Sequence, residues 1–262
     1  MKTVRPGILH IAFLHLAPVP GDVEGNRNLL IHAVNKAASL GAQWIITPEL
    51  CVCGYSFADH IGTDWIAPQP DSWMTTFCRQ VAELQVTVFL AHPERDEHSG
   101  HLFNSVFVIV NGMIIGRHRK INALRVGSEA WSSPGVQATP IQVPPVGNVG
   151  IMICGDAFSP GIAIALKQQG AQMLVSSAAW APGFHGPDGE WERCTQDTGL
   201  PLLVCNRSGA DHTLDFTEAQ TVVVKDGRRL ISFSSPDSTI MIIEWDLAAA
   251  NLATSTYQQC GV

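Results

Sequence analysis

The sequence predicts one α/β domain with mixed sheets over residues 1–262. Strand-like apolar runs alternate with segments of helical periodicity, an order typical of α/β architectures. The dipeptide Asn111-Gly112 joins two apolar runs and indicates a β-hairpin, so we expect mixed rather than purely parallel sheets. No linker-like or low-complexity tract divides the chain, whose length is ordinary for one large domain.

The first half of the chain is predicted to open with a strand and an amphipathic helix. Leu30, Val34 and Ala37 recur at helical spacing, and Gly41 stands where such a helix would stop. The predicted elements are a strand at 8–14, a helix at 20–41, a strand that begins at 42 and runs into a loop at Pro48, a helix near 71–85, a strand at 86–92, and the hairpin strands 103–110 and 113–118.

The second half repeats this order. Ser159 as the cap, Pro160 at the first helical position and Gly170 at the stop bound a helix. The predicted elements are a strand at 149–154, that helix at 159–170, a strand at 171–180, a helix at 188–199, a strand at 201–206, and two or three strands within 219–244 that turn at 225–228. Both halves place the triplet Gly-Ala-Gln (41–43 and 170–172) between helix and strand, which hints at two related halves.

The composition argues against several classes of partner. The net charge is −7 and no basic stripe occurs, so a nucleic acid is not an expected partner. The first apolar run is broken by His10 and His15 and lacks a signal-peptide cleavage site, and no run is long enough to span a membrane. We therefore expect a cytoplasmic protein that does not bind membranes.

The cysteines are odd in number, seven, and are scattered along the chain. Disulfide frameworks are denser and belong mostly to small secreted domains, so reduced thiols are expected and any one of them could react. A metal site drawn from Cys51, Cys53 and His60 lacks a second matched pair of ligands. The glycines of "GNVGIMICG" form neither a phosphate loop nor a dinucleotide fingerprint, so we expect no cofactor and no metal.

Three residues whose side chains can act in catalysis each lie at the end of a predicted strand: Glu49 in "TPEL", Lys120 in "GRHRKIN", and Cys154 in "GIMICGDAF". Taken singly, each has an ordinary explanation: a solvated loop acid, a charged sheet edge and a buried structural thiol. Taken together, and in this order, they resemble the Glu-Lys-Cys triad of the nitrilase superfamily of carbon–nitrogen hydrolases. The resemblance covers nearly the whole chain, including "GAQMLVSSAAW" and "EWERCTQDTGLPLLVCNRSG".

The resemblance implies a four-layer α-β-β-α sandwich with the triad at one end of its two sheets. It also implies a homodimer or larger homo-oligomer that pairs through the flanking helices. In the implied chemistry the thiolate of Cys154 attacks the substrate carbon, Glu49 takes the thiol proton, and Lys120 with the backbone N–H of Gly155 stabilises the oxyanion. Glu129, in "GSEAWSSPG", resembles a second glutamate of the family that positions the substrate amine or the water; a loop surface acid is the alternative.

The expected reaction is hydrolysis of a small amide to a carboxylate and ammonia. The chain lacks the Cys-Trp-Glu of typical nitrilases and their long C-terminal extension, which favours an amide over a nitrile. Open alternatives are an N-carbamoyl hydrolase, a nitrilase, acyl transfer to another acceptor, and a catalytically silent binding protein on the same fold.

The segment "CGDAFSPG" departs from the family's Cys-Tyr-Asp-x-Arg-Phe-Pro-Glu at three positions. Gly155 replaces the tyrosine, Phe158 the arginine and Gly161 the glutamate. If Phe158 faces the pocket, the substrate should carry a neutral, apolar group where relatives accept an acid; alternatively Arg207 supplies the missing charge, or Phe158 lies in the core. Trp180, together with Trp191 and His185, is a further candidate for the pocket wall, although single aromatic residues more often belong to the core.

Overall fold

The computed structural model describes residues 6–125, 127–183, 186–212 and 214–262. Its strands are β1 Ile8–His15, β2 Trp44–Ile46, β3 Thr87–Arg95, β4 Leu102–Val110, β5 Met113–Arg119, β6 Ile141–Val143, β7 Gly147–Ile153, β8 Met173–Ala178, β9 Leu202–Asn206, β10 Ala210–Asp211, β11 Leu214–Asp215, β12 Thr221–Lys225, β13 Arg228–Phe233, β14 Thr239–Asp246, β15 Asn251–Leu252 and β16 Gln258–Gly261. Its helices are α1 Val23–Ser39, α2 Phe57–Ile61, α3 Ser72–Leu84, α4 Pro160–Gln168 and α5 Glu190–Thr198, with 3₁₀ turns at Gly127–Glu129 and Cys154–Phe158.

The strands form two large mixed sheets and one short ribbon. The first sheet has the order β15-β14-β1-β2-β3-β4-β5, and β16 also pairs with β14. The second has the order β13-β12-β9-β8-β7-β6, and β10 pairs with β11. Parallel pairs (β1 with β2, β7 with β8) stand beside antiparallel pairs, among them the predicted hairpin of β4 and β5. The prediction of mixed sheets is confirmed.

Each sheet has a helix pair on its outer face, which gives the four layers α-β-β-α. The alternation of side chains along β1 shows this directly, since Leu9, Ile11 and Phe13 join the core shared with the second sheet. Ala12 and Leu14 join the other core, together with buried residues of α1 and α3. The second sheet is covered by α4 and α5, whose buried residues extend the first core. This is the predicted sandwich.

The repeated Gly-Ala-Gln triplets occupy equivalent places in two βαβ units, β1-α1-β2 and β7-α4-β8. Gln43 donates its backbone N–H to the carbonyl of His10 (2.9 Å), and its side-chain oxygen accepts the N–H of His10 (3.1 Å). Gln172 makes the same two bonds to Asn148 (2.8 and 3.2 Å). Each glutamine thus continues the ladder between two parallel strands, so the hint of two related halves has a structural counterpart.

Several short elements were not expected from the sequence. They are α2, β6, the β10–β11 ribbon, and the strands β15 and β16 at the edge of the first sheet. β15 and β16 are polar and are strands only because they pair with β14. Among the described residues, no helix is both long and apolar enough to cross a membrane.

Candidate active site

The loops at one end of the two sheets bring the predicted residues together. Glu49 lies three residues beyond β2, Lys120 follows β5 directly, and Cys154 follows β7 directly. Two backbone bonds tie these loops to the sheets, from the Glu49 N–H to the carbonyl of Ala178 (3.2 Å) and from the Lys120 N–H to the carbonyl of Asn104 (2.8 Å). Strand ends are where a rigid sheet can hold side chains in fixed positions.

The side chains of this cluster form one buried network. The Lys120 ammonium donates to Glu49 Oε1 at 2.8 Å and also pairs with Glu129 Oε1. Asn104 Nδ2 donates to the same two oxygens, at 2.7 Å to Glu49 and 3.4 Å to Glu129. Glu49 Oε2 accepts the backbone N–H of Ala179 at 2.9 Å. Both oxygens of Glu49 are therefore held, and the carboxylate has a single orientation.

Glu129 is a buried member of the site rather than a loop surface acid, since it is only 1% exposed. Its Oε1 is bound to Lys120 and Asn104, while its Oε2 is buried and has no hydrogen-bond partner among the described residues. Glu129 also lines the pocket described below. The residue thus lines the pocket while its second carboxylate oxygen is buried without a described partner, and such an oxygen costs free energy until a donor reaches it.

The pKa values of the cluster are shifted by burial and by mutual charge. Burial raises the pKa of Glu49, and Glu129 adds to this, while Lys120 opposes it. Burial also raises the pKa of the Cys154 thiol well above its usual value, and the Glu49 charge raises it further. Burial alone would lower the pKa of Lys120, but the two carboxylates outweigh it and raise that pKa well above the usual value. Cys154 is therefore a thiol at rest that needs a base, and Lys120 is a fixed cation.

Cys154 sits in a strained turn at the end of β7. Its φ is +41°, in the left-handed region that side-chain-bearing residues seldom adopt, and a 3₁₀ turn begins at this residue. The chain reverses so sharply here that the thiol reaches the pocket while the strand stays in the core. Gly155 follows in the pocket wall, and its carbonyl accepts a hydrogen bond from Asn122 Nδ2 at 2.6 Å, which fixes the peptide.

The pocket has a volume of about 410 Å³. The part of its lining that carries the ionisable groups and the turn at Cys154 consists of Lys120, Glu129, Cys154 and Gly155. The rest of its described lining is mostly apolar: Tyr55, Leu124, Phe158, Ala179, Trp180, Ala181, Pro182, Gly186 and Leu214. Phe158 faces this pocket and is 46% exposed, so it is not a core residue. The prediction of a neutral, apolar substrate group depended on Phe158 facing the pocket, and Phe158 does face it.

Arg207 does not supply charge to the pocket, which corrects the sequence-based alternative. It is fully buried, pairs with Asp211 at 2.5 Å and lies 4.5 Å from the ring centre of Phe216. Its remaining N–H groups donate to backbone carbonyls, including that of Pro18 at 3.0 Å. A guanidinium taken out of water needs such partners, and they hold it away from the substrate side.

Trp180 lines the pocket and is also well packed. Its ring centre lies 4.7 Å from that of Phe158 and 5.4 Å from that of Trp191. Trp191 is fully buried behind it and does not line the pocket. His185 lies outside the described residues.

The sequence matches the carbon–nitrogen hydrolase family over residues 10–253. The chain belongs to this family. A probable nitrilase of Schizosaccharomyces pombe is 24% identical over 257 residues, which are 95% of this chain and 92% of that protein. A glutamine-dependent NAD(+) synthetase of Thermotoga maritima is 24% identical over 247 residues, 91% of this chain but only 42% of the synthetase.

Solved structures of this family share the fold. A glutamate-to-glutamine mutant of an amidase from Nesterenkonia sp. AN1, which carries the acetamide moiety of fluoroacetamide covalently at its active site cysteine, superposes with a TM-score of 0.78 at 19% identity. The superposition covers 95% of this chain and 94% of the amidase. The resemblance to the nitrilase superfamily that the motifs predicted is thus confirmed.

Three residues of this carbon–nitrogen hydrolase site were not identified from the sequence. Asn104 holds both glutamates, and its only sequence signal is a polar residue inside the apolar run "LFNSVFVIV". Tyr55 lines the pocket, and its backbone N–H donates to Asp211 at 3.0 Å. Asp156 lies two residues beyond the cysteine.

Asp156 ties the turn that carries Cys154 to the segment that carries Lys120. One carboxylate oxygen accepts the backbone N–H groups of Ile121 (3.0 Å) and Asn122 (2.8 Å). The other accepts the N–H of Ile153 (2.9 Å) and pairs with His118 Nε2 (2.8 Å). Burial alone would raise the pKa of Asp156, but these bonds, led by that of His118, outweigh it and lower the pKa.

We expect Asp156→Asn to unfold more easily and to turn over more slowly. An amide has one acceptor oxygen where the carboxylate has two, so buried N–H groups lose their partner, at a cost of about 3 kcal/mol in the free energy of unfolding. Urea unfolding at neutral pH measures this. Asp215→Asn is the control, since Asp215 also accepts a backbone N–H (Thr217, 2.9 Å) but is exposed. Loss of this exposed carboxylate should change the free energy of unfolding little. Equal stability of the two variants would contradict the role given to Asp156.

Other features of the described residues offer no competing site. A larger cavity of about 720 Å³ lies between α3 and β5, and its lining includes Cys78, Arg79 and Arg117 but no carboxylate that could serve as a base. No group of three or more His, Cys, Asp or Glu side chains in the described part of the chain is placed to hold a metal ion. Cys51 and Cys53, considered above as ligands, instead donate to the backbone carbonyls of Ala91 and Leu50.

Proposed function

We propose that this carbon–nitrogen hydrolase cleaves a non-peptide amide to a carboxylate and ammonia through a thioester on Cys154. The observation that carries the proposal is the meeting of one thiol, one ammonium and one carboxylate at the wall of a single pocket, with a second, fully buried carboxylate, that of Glu49, bonded to the same ammonium. A catalytically silent binding protein would bear the stability cost of burying these charges without any use for them, which favours catalysis.

In the first half of the proposed reaction, Glu49 takes the thiol proton as the sulfur bonds to the amide carbon. The C=O electron pair moves to the oxygen, and Lys120 with the Gly155 N–H stabilises the resulting oxyanion. Collapse of this intermediate breaks the C–N bond, and protonated Glu49 gives its proton to the departing nitrogen. Ammonia and the thioester are the products of this half.

In the second half, water replaces ammonia. Glu49 takes a proton from the water as its oxygen bonds to the thioester carbon, and collapse of the second tetrahedral intermediate breaks the C–S bond. The carboxylic acid leaves and the sulfur regains a proton. The fixed orientation of Glu49, held by Lys120, Asn104 and the Ala179 N–H, suits a group that moves protons in both halves.

Glu129 favours an amide over a nitrile. In the proposed complex, the Oε2 of Glu129, which has no hydrogen-bond partner among the described residues, accepts an N–H from the carboxamide of a substrate. A nitrile nitrogen has no N–H to donate and would leave this buried oxygen without a partner, which costs binding. An N-carbamoyl group also has N–H donors and is the second candidate that this oxygen supports.

Ammonia release from phenylacetamide, phenylacetonitrile and N-carbamoylglycine tests the proposal. We expect kcat/KM for the amide to exceed that for the nitrile at least about tenfold, as expected when a polar site loses its partner. Glutamine should be included because a glutamine-dependent synthetase is among the relatives. No ammonia from any of the compounds, or faster release from the nitrile, would contradict the proposal.

We further propose a homodimer or larger homo-oligomer that works in the cytoplasm. The seven cysteines are all free thiols, as a reducing compartment would keep them. The outward helix layers provide faces through which sandwiches could pair. Light scattering should give a mass of at least two chains; the mass of one chain, at concentrations well above those of the activity assay, would contradict the oligomer.

A further inference from the structure

The mouth of the active-site pocket is formed by apolar side chains that are exposed to water. Phe158 is 46% exposed, Leu124 48% and Leu214 38%. All three line the same cavity as Cys154. They come from three separate segments, namely the nucleophile turn, the loop after Lys120 and the strand β11, so their convergence is a property of the fold rather than of local sequence.

Deeper in the pocket the wall remains apolar and is rigidly packed. Trp180 lies against Phe158 on one side and Trp191 on the other. Tyr55 packs edge-on against the buried Phe216, at 6.1 Å between ring centres. Contiguous apolar surface that leads from solvent to a reactive group is characteristic of a binding site for an apolar ligand.

The described residues that line the pocket include no free cation that could pair with an anionic substrate tail. Within the described lining, Lys120 is the one cation, and its ammonium already contacts Glu49 and Glu129. A substrate carboxylate placed against Phe158 or the two leucines would lose water and gain no donor in return. The buried carboxylates would repel it as well.

We propose that the substrate is an uncharged amide with a bulky apolar acyl group, and that Phe158, Leu124 and Leu214 select for that group. The inference rests on the proposed amide hydrolysis and adds to it the class of substrate. The carboxamide lies between Cys154 and Glu129, and the apolar chain extends along Trp180 to the mouth. There it covers the three side chains that are otherwise in water, which is the source of its affinity.

Two amides of the same shape test the charge. 5-Methylhexanamide and glutaramate differ only in that an isopropyl group of the first replaces the carboxylate of the second. Binding is measured by calorimetry with Cys154→Ala, which cannot turn either compound over, and kcat/KM is measured with the wild type. We expect the neutral amide to bind about 100-fold more tightly or better, since the carboxylate is buried without compensation.

Three variants test the residues. Phe158→Arg supplies a donor at the mouth and should shift the binding ratio toward glutaramate at least about tenfold. Leu124→Ala and Leu214→Ala should each weaken binding of 5-methylhexanamide severalfold and leave acetamide, which is too short to reach them, unchanged. Val136→Arg is the matched control, because Val136 is 97% exposed and lies outside the pocket lining; its ratio should equal that of the parent protein.

The outcomes separate this inference from the proposed reaction. If Cys154→Ala discriminates as expected but the wild type releases no ammonia, the substrate class holds and the proposed reaction fails. If the wild type hydrolyses amides through Cys154 but handles glutaramate as well as its neutral partner, only the inference is overturned. Failure of Cys154→Ala to bind the neutral amide, or an unchanged ratio in Phe158→Arg, also overturns it.

Discussion

Replacement of Cys154 by alanine should reduce kcat/KM by about 10⁴-fold or more while leaving the protein folded, because the nucleophile that forms the thioester is gone. The Cys154 side chain is small and takes no part in the backbone hydrogen bonds of β7, which ends just before it. The free energy of unfolding should therefore fall by no more than about 2 kcal/mol. Ammonia release and urea unfolding measure the two quantities on the same preparation.

Cys154→Ser should be nearly as inactive, although the hydroxyl has almost the shape of the thiol. A hydroxyl holds its proton far more tightly than a thiol does, and Glu49 is a carboxylate suited to a thiol rather than a strong base. Cys51→Ser is the matched control, since its hydroxyl can keep the bond to the carbonyl of Ala91 that the thiol makes at 3.3 Å. We expect that variant to stay active.

Fluoroacetamide gives an independent readout of the same prediction. In the Glu49→Gln variant, which lacks the proposed base for amide hydrolysis, the sulfur of Cys154 should displace fluoride and take up the acetamide moiety, and mass spectrometry of the digested protein locates the adduct. The other six cysteines serve as internal controls; several are fully buried, and burial raises the pKa of Cys51 to about 12 and of Cys194 to about 11. An adduct at any of these six in place of Cys154 would assign the nucleophile elsewhere.

The elements that the sequence predicted well are those whose own side chains specify them. β1, β4, β7 and α1 have clear apolar periodicity, and in the structure each lies close to its predicted bounds. β16 could not be found this way, because "QQCG" has no strand pattern and its state comes from pairing with Thr239 to Ile242 of β14. A strand that is specified by its neighbour carries little signal of its own.

The site divides in the same manner. Glu49, Lys120 and Cys154 could be predicted because each follows a strand and because their order resembles a known triad. Asn104 could not be predicted, because it acts through hydrogen bonds to Glu49 and Glu129, which are separated from it by 55 and 25 positions along the chain.

Arg207 shows the opposite error. It stands at a strand end, which suggested an accessible cation, but the Asp four residues later in the sequence is the partner that keeps it buried. The segment from Arg207 to Asp211 is not helical, so a spacing of four residues did not by itself predict the pair, and the partner became evident only from the fold.

Lys120→Met should be about as damaging to catalysis as the loss of a main oxyanion donor, a reduction of about 10³-fold in kcat/KM. Unlike Cys154→Ala, it should also destabilise the protein, because the Lys120 ammonium is the cation that Glu49 and Glu129 share. Removal of one partner of a buried ion pair lowers the free energy of unfolding by about 3–5 kcal/mol. The methionine fills similar volume, so the loss is one of charge rather than of packing.

The pH dependence of that destabilisation separates charge from shape. Without the ammonium, burial and repulsion by the neighbouring carboxylate should raise the pKa of Glu49 in the folded protein further above the ordinary glutamate value of 4.5. Carboxyl groups with a raised folded-state pKa bind protons more tightly in the folded than in the unfolded chain, so they favour folding at low pH. The stability gap to the wild type should therefore be smallest below about pH 4.5 and should widen as the pH rises, up to the folded-state values.

The double variant Lys120→Met/Glu129→Gln completes the argument. Removal of one carboxylate relieves the repulsion that Lys120→Met leaves behind, so the double variant should recover stability at neutral pH relative to the single one. It should not recover turnover, because no cation faces the oxyanion in either protein. Thermal unfolding from pH 4 to pH 9 and ammonia release at neutral pH provide the comparison. If the single variant has wild-type stability across that range, Lys120 does not balance the buried carboxylates. If the double variant regains turnover, Lys120 does not stabilise the oxyanion.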